Sequence, residues 1–145
     1  MAVECRLNDS ATLELLSHAR DDTAVWMAVA ERALMARLEG GCSVPIGVHC
    51  SWVEPENSLF LKGFVYSTVT GEFKCLTAER TADVLSGDVV DEEGRVEFSK
   101  IYVPPGKRRM ATVADRLGRM VADDLLALGA GEILKAERNK NSSTP

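Results

Sequence analysis

The sequence predicts an α+β fold in which a small three-stranded antiparallel sheet carries helices packed on one face. Two observations support this prediction. Apolar residues recur at helical spacing near both ends of the chain, and three strand-like runs lie between those helices. Because the connections between the runs are short, neighbouring strands should be antiparallel, and the sheet then needs helices to cover one of its faces.

Two helices are predicted in the first forty residues. An aspartate or serine at positions 9–10 can cap a helix over 11–18, and acidic residues at 21–22 can cap a longer helix over 24–38. The apolar residues of the longer helix recur every three or four positions: Met27, Ala30, Leu34 and Leu38. Gly40 stands where a terminating glycine is expected.

Three strands are predicted next, over 44–51, 59–67 and 72–79, where Val, Ile, Phe and Tyr are frequent. Turn-forming residues at 55–58 and 70–71 separate them. The three runs therefore predict an antiparallel meander.

The pattern weakens from position 83 to position 110, where only 96–103 resembles a strand. A pronounced helical stripe follows and ends at Gly129, and a short helix is predicted over 132–138. The stripe consists of Val113, Leu117, Met120, Val121, Leu125 and Leu128.

The predicted organisation has three parts. Residues 1–22 are expected to be a linker or the end of a preceding domain, because they fit poorly into the layered scheme. Residues 23–138 form the domain, and 139–145 are expected to be a flexible tail.

Composition narrows the classes of function. The 145-residue chain has a formal net charge of −5, which argues against nucleic-acid binding. Its one basic cluster, 107–109, is expected to be a solvated loop. No apolar run approaches the roughly 18–20 residues that cross a membrane, and no secretion signal is visible, so a cytoplasmic location is expected.

The four cysteines are Cys5, Cys42, Cys50 and Cys75. Their spacing contains no CxxC pair and only two histidines accompany them, so neither a metal site nor a disulfide framework is expected. Cys50 and Cys75 fall in predicted strands and are expected in the core.

Cys42 has a distinctive setting. It follows Gly40 and Gly41, and Ser43 and a strand come after it, so it should stand on a tight turn that leaves its thiol uncovered. These residues alone do not decide between a structural and a reactive cysteine, because reactivity depends on a lowered pKa or an electropositive setting.

The run around Cys42 resembles the cofactor-attachment segment of porphobilinogen deaminases, also called hydroxymethylbilane synthases. The likeness consists of Leu38-Glu39-Gly40-Gly41-Cys42 followed by Val44-Pro45-Ile46-Gly47. The preceding Ala30–Ala33, the lead-in Val3–Arg6 and the closing Gly129–Leu134 also resemble the family. The similarity covers most of the chain and is weakest at 83–110.

The resemblance implies a transferase of tetrapyrrole (porphyrin and haem) biosynthesis. Such enzymes condense four porphobilinogen units into hydroxymethylbilane and release ammonia at each step. The growing oligopyrrole extends from a dipyrromethane cofactor held by a cysteine thioether. By this resemblance Cys42 carries the cofactor, and Gly40, Gly41 and Ser43 flank it.

The resemblance also implies a large difference. The full enzymes have two preceding domains that supply a catalytic aspartate and the arginines that bind pyrrole carboxylates, so no residue of this chain is assigned a catalytic role. The chain alone is expected to be inactive and to depend on those domains, and exposed apolar surface favours self-association. The alternative is a non-catalytic binding or regulatory domain derived from the family.

Overall fold

A computed structural model describes residues 3–6, 8–39, 44–67, 74–83 and 97–142. Its helices are α1 Ser10–Ser17, α2 Asp22–Arg37, α3 Arg108–Ala127 and α4 Ala130–Ser142. Its strands are β1 Ile46–Val53, β2 Ser58–Ser67, β3 Lys74–Asp83, β4 Glu97–Phe98 and β5 Ile101–Tyr102. A 3₁₀ turn, Pro105–Lys107, precedes α3.

Strands β1, β2 and β3 form the predicted antiparallel meander, in that order. Leu61 at the centre of β2 is paired with Cys50 on β1 and with Arg80 on β3. The strands are longer or shifted relative to the sequence patterns, and β3 continues to Asp83.

Helices cover one face of this sheet, which confirms the predicted α+β architecture. Leu59, Leu61 and Val65 alternate along β2 and are fully buried. Between them, Gly63 lies against Leu34 of α2 and Leu125 of α3, since a Cβ atom there would be 2.9 Å from either side chain. The intervening β2 residues point to the opposite face and are half-buried: Phe60, Lys62, Phe64 and Tyr66.

Helices α2 and α3 pack backbone to backbone. Gly118 of α3 lies so close to α2 that a Cβ atom would be 2.2 Å from the carbonyl oxygen of Ala30 and 2.7 Å from Cβ of Ala33. Small residues on both helices therefore permit the close crossing.

The predicted starts of the first two helices are confirmed, because the Asp9 and Asp21 side chains accept hydrogen bonds from the N–H groups of Thr12 and Ala24, at 3.1 and 2.8 Å.

The segment predicted as one strand over 96–103 is instead a hairpin of β4 and β5. Its two turn residues, Ser99 and Lys100, have φ values of 50° and 67°. Two consecutive residues with positive φ reverse the chain and match the twist of the flanking strands. The prediction of a single strand was wrong because neither turn residue is a glycine, so the sequence carried no sign of a turn with positive φ.

The basic cluster Lys107–Arg109 is not the solvated loop that the sequence suggested. Lys107 closes the 3₁₀ turn and Arg108 begins α3. The Lys107 ammonium lies 2.7 Å from a carboxylate oxygen of Asp22, the first residue of α2, so this cluster joins the starts of two helices.

Gly129 ends α3 with φ of 99°, as predicted, and α4 starts at the next residue. Helix α4 continues to Ser142, whereas the sequence pattern predicted an end at 138. The proposed domain boundaries stay predictions.

The two cysteines that lie in strands differ in their exposure to solvent. Cys50 is buried as predicted, but Cys75 is exposed, because it lies on the sheet face that the described helices do not cover. On α2, Trp26, Val29 and Leu34 are buried within this chain, which weakens the argument for self-association through that helix. Self-association itself stays a prediction.

Among the described residues, no helix is long and apolar enough to cross a membrane.

Candidate functional site

The four residues predicted to form the cofactor site, Gly40, Gly41, Cys42 and Ser43, lie outside the described residues. The structure does describe the residues that flank them. The last residues before the segment terminate α2, and the first residues after it lead into β1.

On the helix side, the flank is held by burial and by the end of α2. Leu38 is only 2% exposed, and its N–H donates to the carbonyl oxygen of Leu34 at 3.1 Å. Glu39 then adopts φ of 53°, a left-handed conformation that non-glycine residues seldom take, and its N–H donates to Ala36 at 3.1 Å. The chain thus leaves the helix at a defined place and in a defined direction.

The Glu39 side chain is paired with the C-terminal helix. Its Oε2 lies 2.9 Å from Nη1 of Arg138, and Nε of Arg138 donates to the carbonyl oxygen of Leu134 at 3.2 Å. Sequence reasoning did not identify Arg138 as a partner of this flank. No local pattern could have revealed it, because 99 positions separate the two partners.

On the strand side, backbone hydrogen bonds hold the flank. The carbonyl oxygen of Val44 accepts from Ile46 N–H, and that of Pro45 accepts from Tyr66 N–H, both at 2.9 Å. Ile46 then enters the ladder opposite Val65. The residues that precede 40–43 are therefore anchored on α2 and α4, and those that follow are anchored on β2.

Among the described cysteines, Cys50 is unsuited to nucleophilic chemistry. Burial, with a smaller contribution from the Glu31 charge, raises the pKa of the Cys50 thiol to about 12. Since the thiolate is the reactive form, a thiol that stays protonated at neutral pH is inert. Cys5 and Cys75 are exposed.

Several described arginines form ion pairs with carboxylates of this chain: Arg20–Asp22, Arg37–Asp123, Arg80–Asp124, Arg119–Asp115 and Arg138–Glu39. The strongest geometry is that of Arg80, whose Nε and Nη2 both reach the Asp124 carboxylate. This pairing lowers the pKa of Asp124. These guanidinium groups are therefore already engaged, which limits their capacity to bind an external polycarboxylate.

Two cavities lie elsewhere in the described structure. One of about 430 Å³ lies between α1 and Tyr102–Pro104, and one of about 350 Å³ lies between the end of β3 and α3. Neither is lined by Glu39 or Arg138. Within the described ranges, no group of three or more His, Cys, Asp or Glu side chains could hold a metal ion.

Comparison with known proteins gives a consistent result. The family model for the C-terminal domain of porphobilinogen deaminases matches residues 26–84, a range that includes positions 40–43. The chain is 37% identical over 138 residues to the porphobilinogen deaminase of Trichlorobacter lovleyi, covering 93% of this chain and 33% of the relative. It is 35% identical over 134 residues to that of Nocardia farcinica, covering 92% and 32%.

A third relative, from Shouchella clausii, is named in the same way and is 30% identical over 140 residues, covering 97% of this chain and 35% of the relative. The chain thus spans about a third of the length of the curated relatives it matches.

Proposed function

Because the chain belongs to the porphobilinogen deaminase family and matches its C-terminal domain, we propose that it supplies the covalent anchor for a dipyrromethane primer. The enzyme it serves condenses four porphobilinogen units into hydroxymethylbilane and releases ammonia at each joining. The observation that carries this proposal is the run Leu38–Gly47, which contains Cys42 and lies inside the matched region.

The chemistry proposed for Cys42 follows from the properties of a thiolate. The sulfur forms a bond to the aminomethyl carbon of a porphobilinogen unit, while the carbon–nitrogen bond breaks and the amine leaves as ammonia after gaining a proton. The resulting thioether has no good leaving group, which suits a permanent primer. When bound, that primer supplies the free pyrrole position to which further units are added.

The described surroundings of 40–43 fit this role. The residues on both sides of the segment are anchored, on α2 and α4 before it and on β2 after it. Because Cys50 is buried with a raised pKa, it does not compete for the electrophile. Gly40 and Gly41 add no side chains that would obstruct a bulky oligopyrrole.

Catalysis by this chain alone is not expected. An oligopyrrole carries many carboxylates, and its binding requires arginine or lysine side chains that are free to pair with them. Here the net charge is −5 and several arginines pair with the chain's own acids. We therefore assign the binding of porphobilinogen and the proton transfers to the remainder of a complete enzyme, and we propose that this enzyme acts in the cytoplasm.

The test is a mass measurement on a complete enzyme. The matching C-terminal part of the Trichlorobacter lovleyi relative is replaced by this chain, and the intact mass is compared for the parent, Cys42→Ala and Cys75→Ala. We expect a dipyrromethane-sized addition in the parent and in Cys75→Ala, whose substituted cysteine is exposed and distant in sequence. A covalent addition retained in Cys42→Ala would refute the assignment.

The alternative is a non-catalytic binding or regulatory domain derived from the family, and the chain's net charge of −5 favours it because an acidic chain does not attract a polycarboxylate. The same chimera separates the two proposals. A folded chimera that carries no addition and makes no hydroxymethylbilane would favour the alternative.

A further inference from the structure

We propose that the outer edge of β3 and the adjoining face of α3 bind an extended segment of another protein, one that carries a single acidic residue between apolar ones. The segment would lie beside β3 as a fourth strand of the sheet. This binding is separate from the attachment of a primer and does not depend on it.

Strand β3 has an open edge. Among the described strands it pairs only with β2, so one row of its backbone N–H and C=O groups has no strand partner. The opposite edge of the sheet differs, because the N–H of Cys50 on β1 already donates to the carboxylate of Glu31 on α2. An open edge is the surface onto which an extended peptide adds as a further strand.

The cavity of about 350 Å³ runs along this edge. Four consecutive residues of β3, 80–83, line it. Successive side chains of a strand point to opposite faces of the sheet, so a cavity on one face would be lined by every second residue only. Lining by consecutive residues therefore places the cavity beside the strand, where its outward backbone groups lie.

The other wall of the cavity is one face of α3. Val113, Leu117 and Met120 recur on it at the spacing of a helical turn, and Met120 is 40% exposed. Residues 113–120 extend about 10 Å at helical rise, and 80–83 extend about 10 Å as a strand. One wall is apolar, the other offers backbone hydrogen bonds, and both match the length of about four extended residues.

Arg116 gives the cavity its preference for charge. It lines the cavity, is exposed, and pairs with no carboxylate within the described ranges. No acidic residue stands three or four positions from it on α3. Arg80, the other guanidinium on the cavity, already binds Asp124 through two nitrogens. A carboxylate on the bound segment would therefore pair with Arg116, and Asp83 at the end of β3 disfavours a second one.

The test uses the full chain and a blocked pentapeptide, acetyl-Val-Thr-Glu-Thr-Val-amide. Its residues follow the same order in both directions, so the result does not depend on whether the added strand is parallel or antiparallel to β3. Its valines and glutamate share one face when the peptide is extended, as the apolar wall and Arg116 require. Two comparison peptides carry glutamine in place of glutamate, or an N-methyl group on every residue. Binding is followed through the backbone amide shifts of the ¹⁵N-labelled chain.

Two variants of the chain are compared with the parent. Arg116→Gln removes the guanidinium that would bind the peptide carboxylate. Arg32→Gln is the matched control, because Arg32 is also exposed and also pairs with no described carboxylate, but it lies on α2 and does not line the cavity. Urea midpoints of the three proteins show whether any loss of affinity reflects a loss of folding.

We expect the peptide to shift the amides of 80–83 in the parent chain. Arg116→Gln should weaken its affinity by about three- to fivefold, the upper range for an exposed ion pair, and Arg32→Gln should leave it unchanged. The glutamine peptide should lose the same factor on the parent and nothing further on Arg116→Gln, the signature of a pairwise contact. The N-methylated peptide should bind at least about tenfold more weakly, because it has lost several hydrogen-bond donors.

Three results would overturn the proposal: unchanged amides at 80–83 with the parent peptide at millimolar concentration, equal binding of the N-methylated peptide, or equal losses in Arg116→Gln and Arg32→Gln. If Arg116→Gln does not fold, the glutamate and glutamine peptides still decide the matter on the parent chain, where equal affinities would contradict the role of Arg116. None of these measurements involves a bound primer, so a failure of the attachment proposal would be seen separately.

Discussion

Glu31 of α2 accepts a hydrogen bond from the backbone N–H of Cys50 on β1, with 3.0 Å between the nitrogen and Oε1. Among the described strands, β1 is paired only with β2 and is therefore an edge strand of the sheet. An open edge offers unpaired N–H groups to other chains, and a carboxylate placed on it blocks such pairing. The helix that precedes residues 40–43 thus also protects the strand that follows them.

Removing this contact should destabilise the chain. Glu31→Ala leaves the Cys50 N–H without its partner in a largely buried setting, at a cost of about 1–3 kcal/mol in the free energy of unfolding. Glu31→Gln retains an acceptor oxygen and should cost less than half as much. Urea unfolding measures both, and equal losses in the two variants would show that the hydrogen bond is not the cause.

Cys50 should make stability depend on alkaline pH. Its folded-state pKa is raised to about 12 from a value near 9.0, first by burial and then by the Glu31 charge. The unfolded state therefore loses its proton at lower pH than the folded state. The contribution of Cys50 is complete below pH 9 and is lost as the pH rises towards 12, with a slope of up to about 1.4 kcal/mol per pH unit.

Other groups also titrate in that pH range, so the effect of Cys50 is measured as the difference in stability between the parent and a variant without this thiol. Unfolding free energies of the parent and Cys50→Ala are compared under reducing conditions from pH 8 upward. The parent should lose stability more steeply than the variant, and parallel curves would contradict the raised pKa.

Gly118→Ala should be strongly destabilising. A Cβ atom at this position would overlap the carbonyl oxygen of Ala30, so α2 and α3 must separate at their crossing, and a loss of about 3 kcal/mol or more is expected. Gly131→Ala is the matched control, because its Cβ would find only Leu126 at 3.7 Å within an ordinary helical turn. That variant should gain up to about 1 kcal/mol from helix propensity. Thermal unfolding of both variants tests the contrast.

Lys100→Gly should stabilise the β4–β5 hairpin. Lys100 has φ of 67°, where a side chain is disfavoured and glycine is not, so a gain of up to about 1 kcal/mol is expected. Ser99 is left in place because its hydroxyl donates to Asp115 at 3.4 Å. Glu97→Gly, in the strand of the same hairpin, should instead destabilise. A loss of stability in both variants would indicate that the turn does not need a positive φ.

The sheet and its long helices were predictable because their signals are local. The run of strand-forming residues in β2 and the aspartate that can cap each early helix are signals that act within a few residues, and both were read correctly. The β4–β5 turn was not, since Ser99 and Lys100 carry no local sign of positive φ. Cys75 was assigned to the core because its strand is clear, but the strand pattern did not reveal which face the helices cover.

For the candidate site, too, local signals could be read from the sequence and long-range contacts could not. The segment 40–43 and the glycines beside Cys42 were singled out from adjacent residues, and their role as the attachment site stays a prediction. The Glu39–Arg138 pair depends on how α4 returns to the end of α2, which is a product of the whole tertiary structure. Likewise, Lys107 could not be matched with Asp22 before the starts of α2 and α3 were known to meet.

The neighbouring aromatic side chains of Trp26 and Trp52, with ring centroids 5.6 Å apart, have an optical consequence. They are the only two tryptophans in the sequence, so all tryptophan emission originates from one small region near the start of α2. Leu38 lies twelve residues further along, about 18 Å at helical rise. Tryptophan emission should therefore follow global unfolding while staying insensitive to changes confined to the far end of α2, where Glu39 meets Arg138.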